Sequence, residues 1–229
     1  MNDKERQGDA ATRRRSEKDS AADPPRVAAS PRRRVPSLRV FCAVELPAEV
    51  RAGAAAHAAR VRERFSEVRA SWPRAENLHL TLKFLGEIEE ARVALLSAAA
   101  ARAAEKSQAF ELTIEGAGAF PPRGAPRVLW LGIRDDSGGL AQLQSRLEDE
   151  CARSGFKREE RPFQPHLTLA RLRAPQGARA LAQFHQEAGF EAAQFRVAEL
   201  VVMMSELGPG GSRYTALTRH ALGTRQPAA

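Results

Sequence analysis

One tetrapeptide, His-Leu-Thr-Leu, occurs twice in the chain, at residues 79–82 and again at 166–169. Both copies lie in short segments that alternate polar and apolar residues, a pattern typical of β-strands, in which side chains two residues apart share a face. The leucines of each copy are therefore expected to enter a core, while a histidine and a threonine hydroxyl point away from it together. The sequence thus predicts two similar strands that present the same pair of polar side chains.

The internal repeat extends beyond these four residues. Each copy precedes a turn, a predicted helix and a pair of predicted strands, and the two histidines are 87 positions apart. A duplicated unit whose halves face each other would bring the two motifs to one cleft. The sequence therefore predicts an α+β fold of two pseudo-symmetric lobes, each an antiparallel sheet with helices on its outer face, which together form a central cleft.

Hydrophobic periodicity and turn residues place the individual elements. They predict four helices, at 48–69, at 89–106, between Ser137 and Gly155, and at 177–188. They predict seven strands, at 38–44, 77–85 (ended by Gly86), 110–114, 127–133, 165–171, 195–204 and 213–218.

The two ends of the chain differ in composition from its middle. Residues 1–37 contain 10 Lys/Arg and 6 Asp/Glu with few large apolar side chains, and they hold half of the formal net charge of +8. Such a segment is predicted to be a disordered basic extension, which would serve either as an RNA-attracting arm or as a dispensable addition. Residues 38–222 are predicted to form the folded domain, and 223–229 a frayed tail. The basic balance favours a polyanionic partner, nucleic acid first.

Several classes of protein are disfavoured. Cys42 and Cys151 match no metal-binding or redox spacing and are predicted to be reduced thiols. The chain has neither an apolar run of the ~18 residues that a membrane span needs nor the apolar region of a secretory signal, so we expect a cytoplasmic protein. It also lacks HExxH and a glycine-rich phosphate loop. We therefore expect no metal and no cofactor.

Two histidine and threonine pairs in one cleft are suited to phosphoryl chemistry. Imidazole titrates near pH 6.5, so one neutral ring can act as a base while the other, protonated, acts as an acid. The threonine hydroxyls can donate hydrogen bonds to phosphoryl oxygens. Against this, a single His-x-Thr on a strand is commonly an ordinary surface pair, and common ancestry of two lobes can explain a repeat without function.

Longer stretches around the two tetrapeptides resemble the two-histidine (2H) phosphoesterase superfamily, and within it the RNA 2′,3′-cyclic phosphodiesterases once called 2′-5′ RNA ligases. The resemblance covers roughly residues 38–219. It rests on ordered matches at 38–41, 45–47, 76–86, 118–121, 126–132, 161–171 and 205–214.

This resemblance implies metal-independent hydrolysis of a terminal 2′,3′-cyclic phosphate on RNA to a 2′-phosphomonoester. His79 would be the proton donor to the departing 3′ oxygen and His166 the proton acceptor that activates water, while Thr81 and Thr168 hold the phosphoryl oxygens. One alternative is 2′-5′ ligation of tRNA half-molecules, or another 2H phosphoesterase reaction on small nucleotides. The other is a non-catalytic RNA-end binding module. We expect a monomer that binds RNA with cyclic phosphate ends, tRNA fragments among them.

Charged side chains near the motifs are further candidates. Arg127 and Arg171 could supply fixed positive charge to the phosphate. Strict alternation puts Arg171 on the leucine face, so it would reach the phosphate only if the strand ends or bulges after Leu169. Lys83 has the parity of the first histidine and its threonine, although a solvated lysine is the commoner outcome.

The remaining aromatic and histidine residues are weaker candidates. Phe41 or Trp130 could stack on a terminal base, although both lie in runs typical of a core. His57, His185 and His220 show no paired hydroxyl and are predicted to lie on the surface.

Overall fold

Two antiparallel sheets contain the nine strands found in the computed structural model, which describes residues 36–208 and 211–223. The strands are β1 (Ser37–Glu45), β2 (Ala70–Ser71), β3 (His79–Glu89), β4 (Phe110–Phe120), β5 (Val128–Arg134), β6 (His166–Leu172), β7 (Ala193–Val197), β8 (Glu199–Gly208) and β9 (Gly211–Ala221). The first sheet has the strand order β3-β1-β8-β9, and the second has the order β2-β6-β5-β4-β7.

Helices cover one face of each sheet. They are α1 (Ala48–Arg64), α2 (Val93–Glu105), α3 (Gly139–Arg153) and α4 (Ala178–Ala188). Helix α2 packs on β8 and β9 of the first sheet and contacts α3, which packs on β3; α1 and α4 contact each other and pack on β6, β7 and β4. The α+β prediction is therefore confirmed. Across the described ranges, none of the helices combines the length and apolarity that a membrane span requires.

The leucines of both tetrapeptides lie in the core, as alternation predicts. Leu80 and Leu82 of β3 are 2% and 4% exposed, and Leu167 and Leu169 of β6 are 0% and 1% exposed. Burying one leucine fully is worth about 1.5–3 kcal/mol. The four leucines thus fix which face of each strand points inward and, with it, which side chains point out.

The predicted strand at 195–204 is wrong, because this stretch contains two strands that belong to different sheets. Strand β7 pairs with β4 in the second sheet, Ala198 follows it, and β8 then pairs with β1 and β9 in the first. The apolar pattern does not reveal the crossing, since both strands bury side chains.

The prediction that Gly86 ends the first motif strand is also wrong. Gly86 has a φ of +71°, which glycine adopts without strain, and β3 continues to Glu89.

Both predicted ends of the folded domain differ by one residue from the structure. Ser37 already belongs to β1, where it pairs with Glu89. Gly223, assigned to the frayed tail, donates to the Ser107 carbonyl at 2.7 Å and accepts from the Ala109 N–H at 3.0 Å. The rest of the predicted extension, 1–35, and of the tail, 224–229, lies outside the described residues.

A buried pair of histidines joins α1 to α4. His57 and His185 are 2% and 0% exposed, so their predicted surface location is wrong. His57 Nε2 lies 2.9 Å from His185 Nδ1, and His185 Nε2 lies 3.1 Å from the Trp130 carbonyl oxygen. The guanidinium of Arg60 is 3.1 Å from His57 Nδ1. Donors and acceptors match along this whole chain when both imidazoles are neutral.

We expect this pair to make stability depend on pH. Burial lowers the pKa of His57 to about 4, with the neighbouring His185 and Arg60 acting in the same direction, and burial also lowers the pKa of His185. In the unfolded chain both bind protons below about pH 6.5, so the free energy of unfolding should fall as the pH drops from about 6.5 towards 4. Urea titrations at pH 7, 6, 5 and 4.5 measure this slope. A slope that is unchanged in the double variant His57→Gln/His185→Gln would contradict the assignment.

Candidate active site

The strands that carry the two tetrapeptides contact each other across the two sheets. Strand β3 is an edge strand of the first sheet, and β6 lies between β2 and β5 in the second. His79 and Thr81 on β3, like His166 and Thr168 on β6, have the parity opposite to the buried leucines and keep solvent exposure. The fold therefore brings the two motif strands together, with the four motif residues on the faces opposite the buried leucines.

Both imidazoles are held in the same orientation. His79 Nδ1 lies 2.7 Å from the Asn77 carbonyl oxygen, and His166 Nδ1 lies 2.8 Å from the Gln164 carbonyl oxygen, in each case two residues earlier in the chain. A carbonyl can only accept, so each Nδ1 carries a hydrogen and each Nε2 is left for proton transfer. His79 Nε2 lies 3.0 Å from the hydroxyl of Thr81.

A bulge in β6 turns Arg171 to the same face as the histidine. The pairing of β5 with β6 skips Leu169, so Thr168 and Ala170 face adjacent residues of β5. Ala170 is buried and Arg171 is exposed, which fulfils the condition that the sequence set for this arginine. Its charge lowers the pKa of His79, so the two side chains are close enough to interact electrostatically.

A bulge at the equivalent place in β3 turns Lys83 into the core. The pairing of β1 with β3 skips Leu82, and Lys83 is 4% exposed. Its ammonium group lies 2.6 Å from the Glu148 carboxylate and donates to the Lys157 carbonyl oxygen at 2.9 Å. Both predictions for Lys83 are therefore wrong. Its side chain lies on the face opposite the histidine, and it is buried rather than solvated.

The same bulge turns Phe84 outward, and sequence reasoning missed this residue. Phe84 is 52% exposed, and the guanidinium of Arg39 lies 4.8 Å from its ring centroid. It stands five residues after its histidine, as Arg171 does in the second motif. The internal repeat was the signal that could have found it. An exposed ring at this position is suited to stacking on a base.

The two aromatic residues considered from the sequence instead support the histidines. Phe41 is 2% exposed, and its ring centroid lies 4.8 Å from that of His79. The ring of Trp130 lies over Gly118, where an added Cβ would come within 2.2 Å of it, and 5.2 Å from Phe120. Phe120 in turn meets the ring of His166 edge-on at 5.3 Å.

The surroundings of His79 favour its neutral form in the free protein. Burial lowers its pKa; the hydrogen bond to the Asn77 carbonyl and the negative charge of Glu45 act in the opposite direction, while Arg171 adds to the lowering. An anion bound beside this imidazole would favour its protonated form. The protonation of His79 is therefore coupled to occupation of the cleft by negative charge.

Two other candidates do not share the face of this group. Arg127 is exposed and precedes β5 with the parity of the buried Leu129, opposite to that of the histidines, while its carbonyl oxygen accepts from the N–H of Leu172 at 2.8 Å. His220 is half-buried on the helix-covered face of β9, with Nε2 3.0 Å from the Thr218 hydroxyl; the sequence interpretation overlooked this hydroxyl. Within 36–208 and 211–223, no three His, Cys, Asp or Glu side chains converge in a group that could hold a metal ion.

Comparisons with known proteins identify the family of this chain. Residues 47–209 match the model of a family described as the 2′-5′ RNA ligase superfamily. A protein of Methanothermobacter thermautotrophicus named RNA 2′,3′-cyclic phosphodiesterase is 33% identical over 181 residues, which cover 78% of this chain and 95% of that protein. A protein of the same name from Escherichia coli is 37% identical over 185 residues, covering 80% and 96%.

Solved structures share the fold. TT0787 of Thermus thermophilus superposes with a TM-score of 0.68 at 29% identity, over 82% of this chain and all of that one. Escherichia coli LigT complexed with 3′-AMP gives a TM-score of 0.66 at 34% identity, over 82% of this chain and 99% of that one.

Proposed function

Because the chain belongs to the 2′-5′ RNA ligase superfamily, we propose that it is an RNA 2′,3′-cyclic phosphodiesterase, which hydrolyses the terminal cyclic phosphate to a 2′-phosphomonoester. One observation carries this proposal. His79 and His166, on strands that contact each other, are oriented alike by backbone carbonyls at Nδ1, which leaves each Nε2 atom for proton transfer. Such a pair supplies an acid and a base without a metal ion.

The two histidines take unequal roles in the proposed reaction. Neutral His166 accepts a proton from water through Nε2 as the water oxygen bonds to phosphorus. Protonated His79 donates its Nε2 proton to the ribose 3′ oxygen as the bond from phosphorus to that oxygen breaks. Burial lowers the pKa of His79, and the negative charge of the bound phosphodiester favours its protonated form.

The remaining cleft residues bind the substrate. The hydroxyls of Thr81 and Thr168 donate to non-bridging phosphoryl oxygens, and the planar guanidinium of Arg171 matches two of these oxygens. The exposed ring of Phe84 stacks on the terminal base. The proposed substrate is therefore an RNA end, tRNA fragments included, with no part assigned to the segment before residue 36.

We expect Arg171→Ala to lower kcat/KM for the cyclic phosphate by about tenfold to a hundredfold, because a charge-assisted hydrogen bond to the phosphate is lost. Arg171→Lys should recover only part of this loss, since an ammonium group cannot make the paired contact. Initial rates with a short RNA measure both. Arg179→Ala, which removes the same charge from the exposed face of α4, is the matched control. Equal losses in the two alanine variants would contradict the role of Arg171.

One assay tests the function. The protein is incubated in EDTA with an RNA that ends in a 2′,3′-cyclic phosphate, and the product is identified by its chemistry. A 2′-phosphate is expected, a 3′-phosphate would reverse the assigned leaving group, and binding without turnover would favour an RNA-end binding module. Adding a second RNA with a free 5′ hydroxyl tests 2′-5′ ligation, in which that hydroxyl replaces water.

A further inference from the structure

A row of charged side chains crosses the cleft face of the first sheet beside His79. Glu45 is the direct partner of His79 in the pairing of β1 with β3. Along β1 it has the parity of Phe41 and Ala43, which lie on the cleft side rather than with the helix-covered core. Glu45 therefore lies on the same face as the imidazole and next to it.

The carboxylate of Glu45 forms an ion pair with an arginine. Arg219 of β9 places Nη1 2.6 Å from Glu45 Oε2 and 3.2 Å from Glu199 Oε2. Its side chain is 47% exposed, that of Glu45 is 30% exposed and that of Glu199 is 49% exposed. The ion pair is thus formed at the rim of the cleft, where water weakens it but does not remove it.

The charged and titratable groups around His79 come from three elements. Glu45 faces it from β1 and Arg171 from β6, while Tyr214 of β9 meets its ring edge-on, with centroids 5.1 Å apart. Arg219 reaches it only through Glu45. Of these, Glu45 is the one negative charge that acts on His79 among the described residues, and it opposes the charge of Arg171.

We infer that Glu45 is a positioning residue that favours the protonated form of His79, and that Arg219 limits this effect by pairing with the same carboxylate. This inference rests on the proposed function in so far as His79 is the proton donor. The donor must regain a proton after every turnover, and the adjacent carboxylate stabilises the imidazolium that results. Glu199 forms a second ion pair with Arg219, which weakens the effect of the arginine on Glu45.

The two members of the ion pair should therefore have opposite effects, which a purely structural role would not give. We expect kcat, which reports the substrate complex, to show a bell-shaped dependence on pH. Because the bound phosphate favours protonated His79, the alkaline limb reports the proton donor. Glu45→Gln should move this limb to lower pH by about half a unit, and Arg219→Gln should move it to higher pH by a similar amount. The double variant should resemble Glu45→Gln, because Arg219 acts through Glu45.

Glu199→Gln is the matched control, since it removes the same charge from the same arginine at a position farther along the row. It should shift the limb less than either of the other variants. Shifts of Glu45→Gln and Arg219→Gln in the same direction, or no shift in Glu45→Gln, would overturn the inference.

A second measurement separates this inference from the proposed function. The pKa of His79 is followed in the free protein by NMR, with its signal identified by its loss in His79→Gln; the chain has only five histidines. Opposite shifts of this pKa in the two variants, without turnover of cyclic phosphate, would support the coupling and reject the function. Normal turnover with an unchanged pKa of His79 in both variants would support the proposed function and reject the coupling.

Discussion

Replacing either His79 or His166 with alanine is expected to lower kcat for the cyclic phosphate by about 10²–10⁴-fold, the usual contribution of a general acid or base. Each variant removes one of the two Nε2 atoms that the backbone carbonyls of Asn77 and Gln164 orient. The fold should survive, because both side chains are partly exposed and lie opposite the leucine core. Initial rates and thermal unfolding curves measure the two effects separately.

His220→Ala is the control for these variants. Its Nε2 also lies 3.0 Å from a threonine hydroxyl, that of Thr218, but on the helix-covered face of the first sheet. We expect kcat to remain close to that of the unmodified protein. A rate near normal in either motif variant would remove the two-histidine mechanism, whereas an equal loss in His220→Ala would point to a general effect of losing an imidazole.

Lys83→Met is expected to lower the free energy of unfolding by about 3–5 kcal/mol, the usual cost of leaving one partner of a buried ion pair alone. The Lys83 and Glu148 side chains are 3% and 10% exposed, and their charged atoms are 2.6 Å apart. Methionine keeps most of the volume but leaves the buried carboxylate without its cationic partner. The lost bond to the Lys157 carbonyl also loosens the loop that leads to the second motif. Urea unfolding measures the change.

Two comparisons show whether burial is the cause. The double variant Lys83→Met/Glu148→Leu should recover much of the loss, since no buried charge remains. Arg158→Met breaks an ion pair with Asp149 of the same 2.6 Å length, but with side chains 57% and 44% exposed, and should cost about 1 kcal/mol or less. A similar loss in Lys83→Met and Arg158→Met would contradict the argument.

Alternation in the two tetrapeptides was enough to predict which face of each motif strand is buried, and the repeat predicted that the two strands meet. Alternation fails beyond the second leucine of each motif, where both strands have a bulge. A bulge depends on how the neighbouring strand pairs, and the pattern of a single strand does not reveal that pairing. This is why Lys83 was placed on the wrong face, why Phe84 was missed, and why the position of Arg171 could be stated only as a condition.

Long-range partners were equally hidden. His57 and His185 are 128 positions apart and form a hydrogen bond inside the protein, yet each alone resembles a surface histidine. The crossing at Ala198 escaped notice for a related reason. Two short buried strands in succession have the pattern of one longer strand, and only the sheets that receive them tell them apart.

Neither sheet can be completed by one half of the chain. The first sheet takes β1 and β3 from before α3 and β8 and β9 from after it, and the second joins β2, β4 and β5, which also precede α3, to β6 and β7, which follow it. A protein expressed only up to α3 would therefore expose the open edges of two unfinished sheets. Such a fragment should neither fold nor hold a single histidine in place. We therefore expect the two motif histidines to come together only late in folding, and activity regained on mixing separate halves would require both sheets to be rebuilt from two molecules.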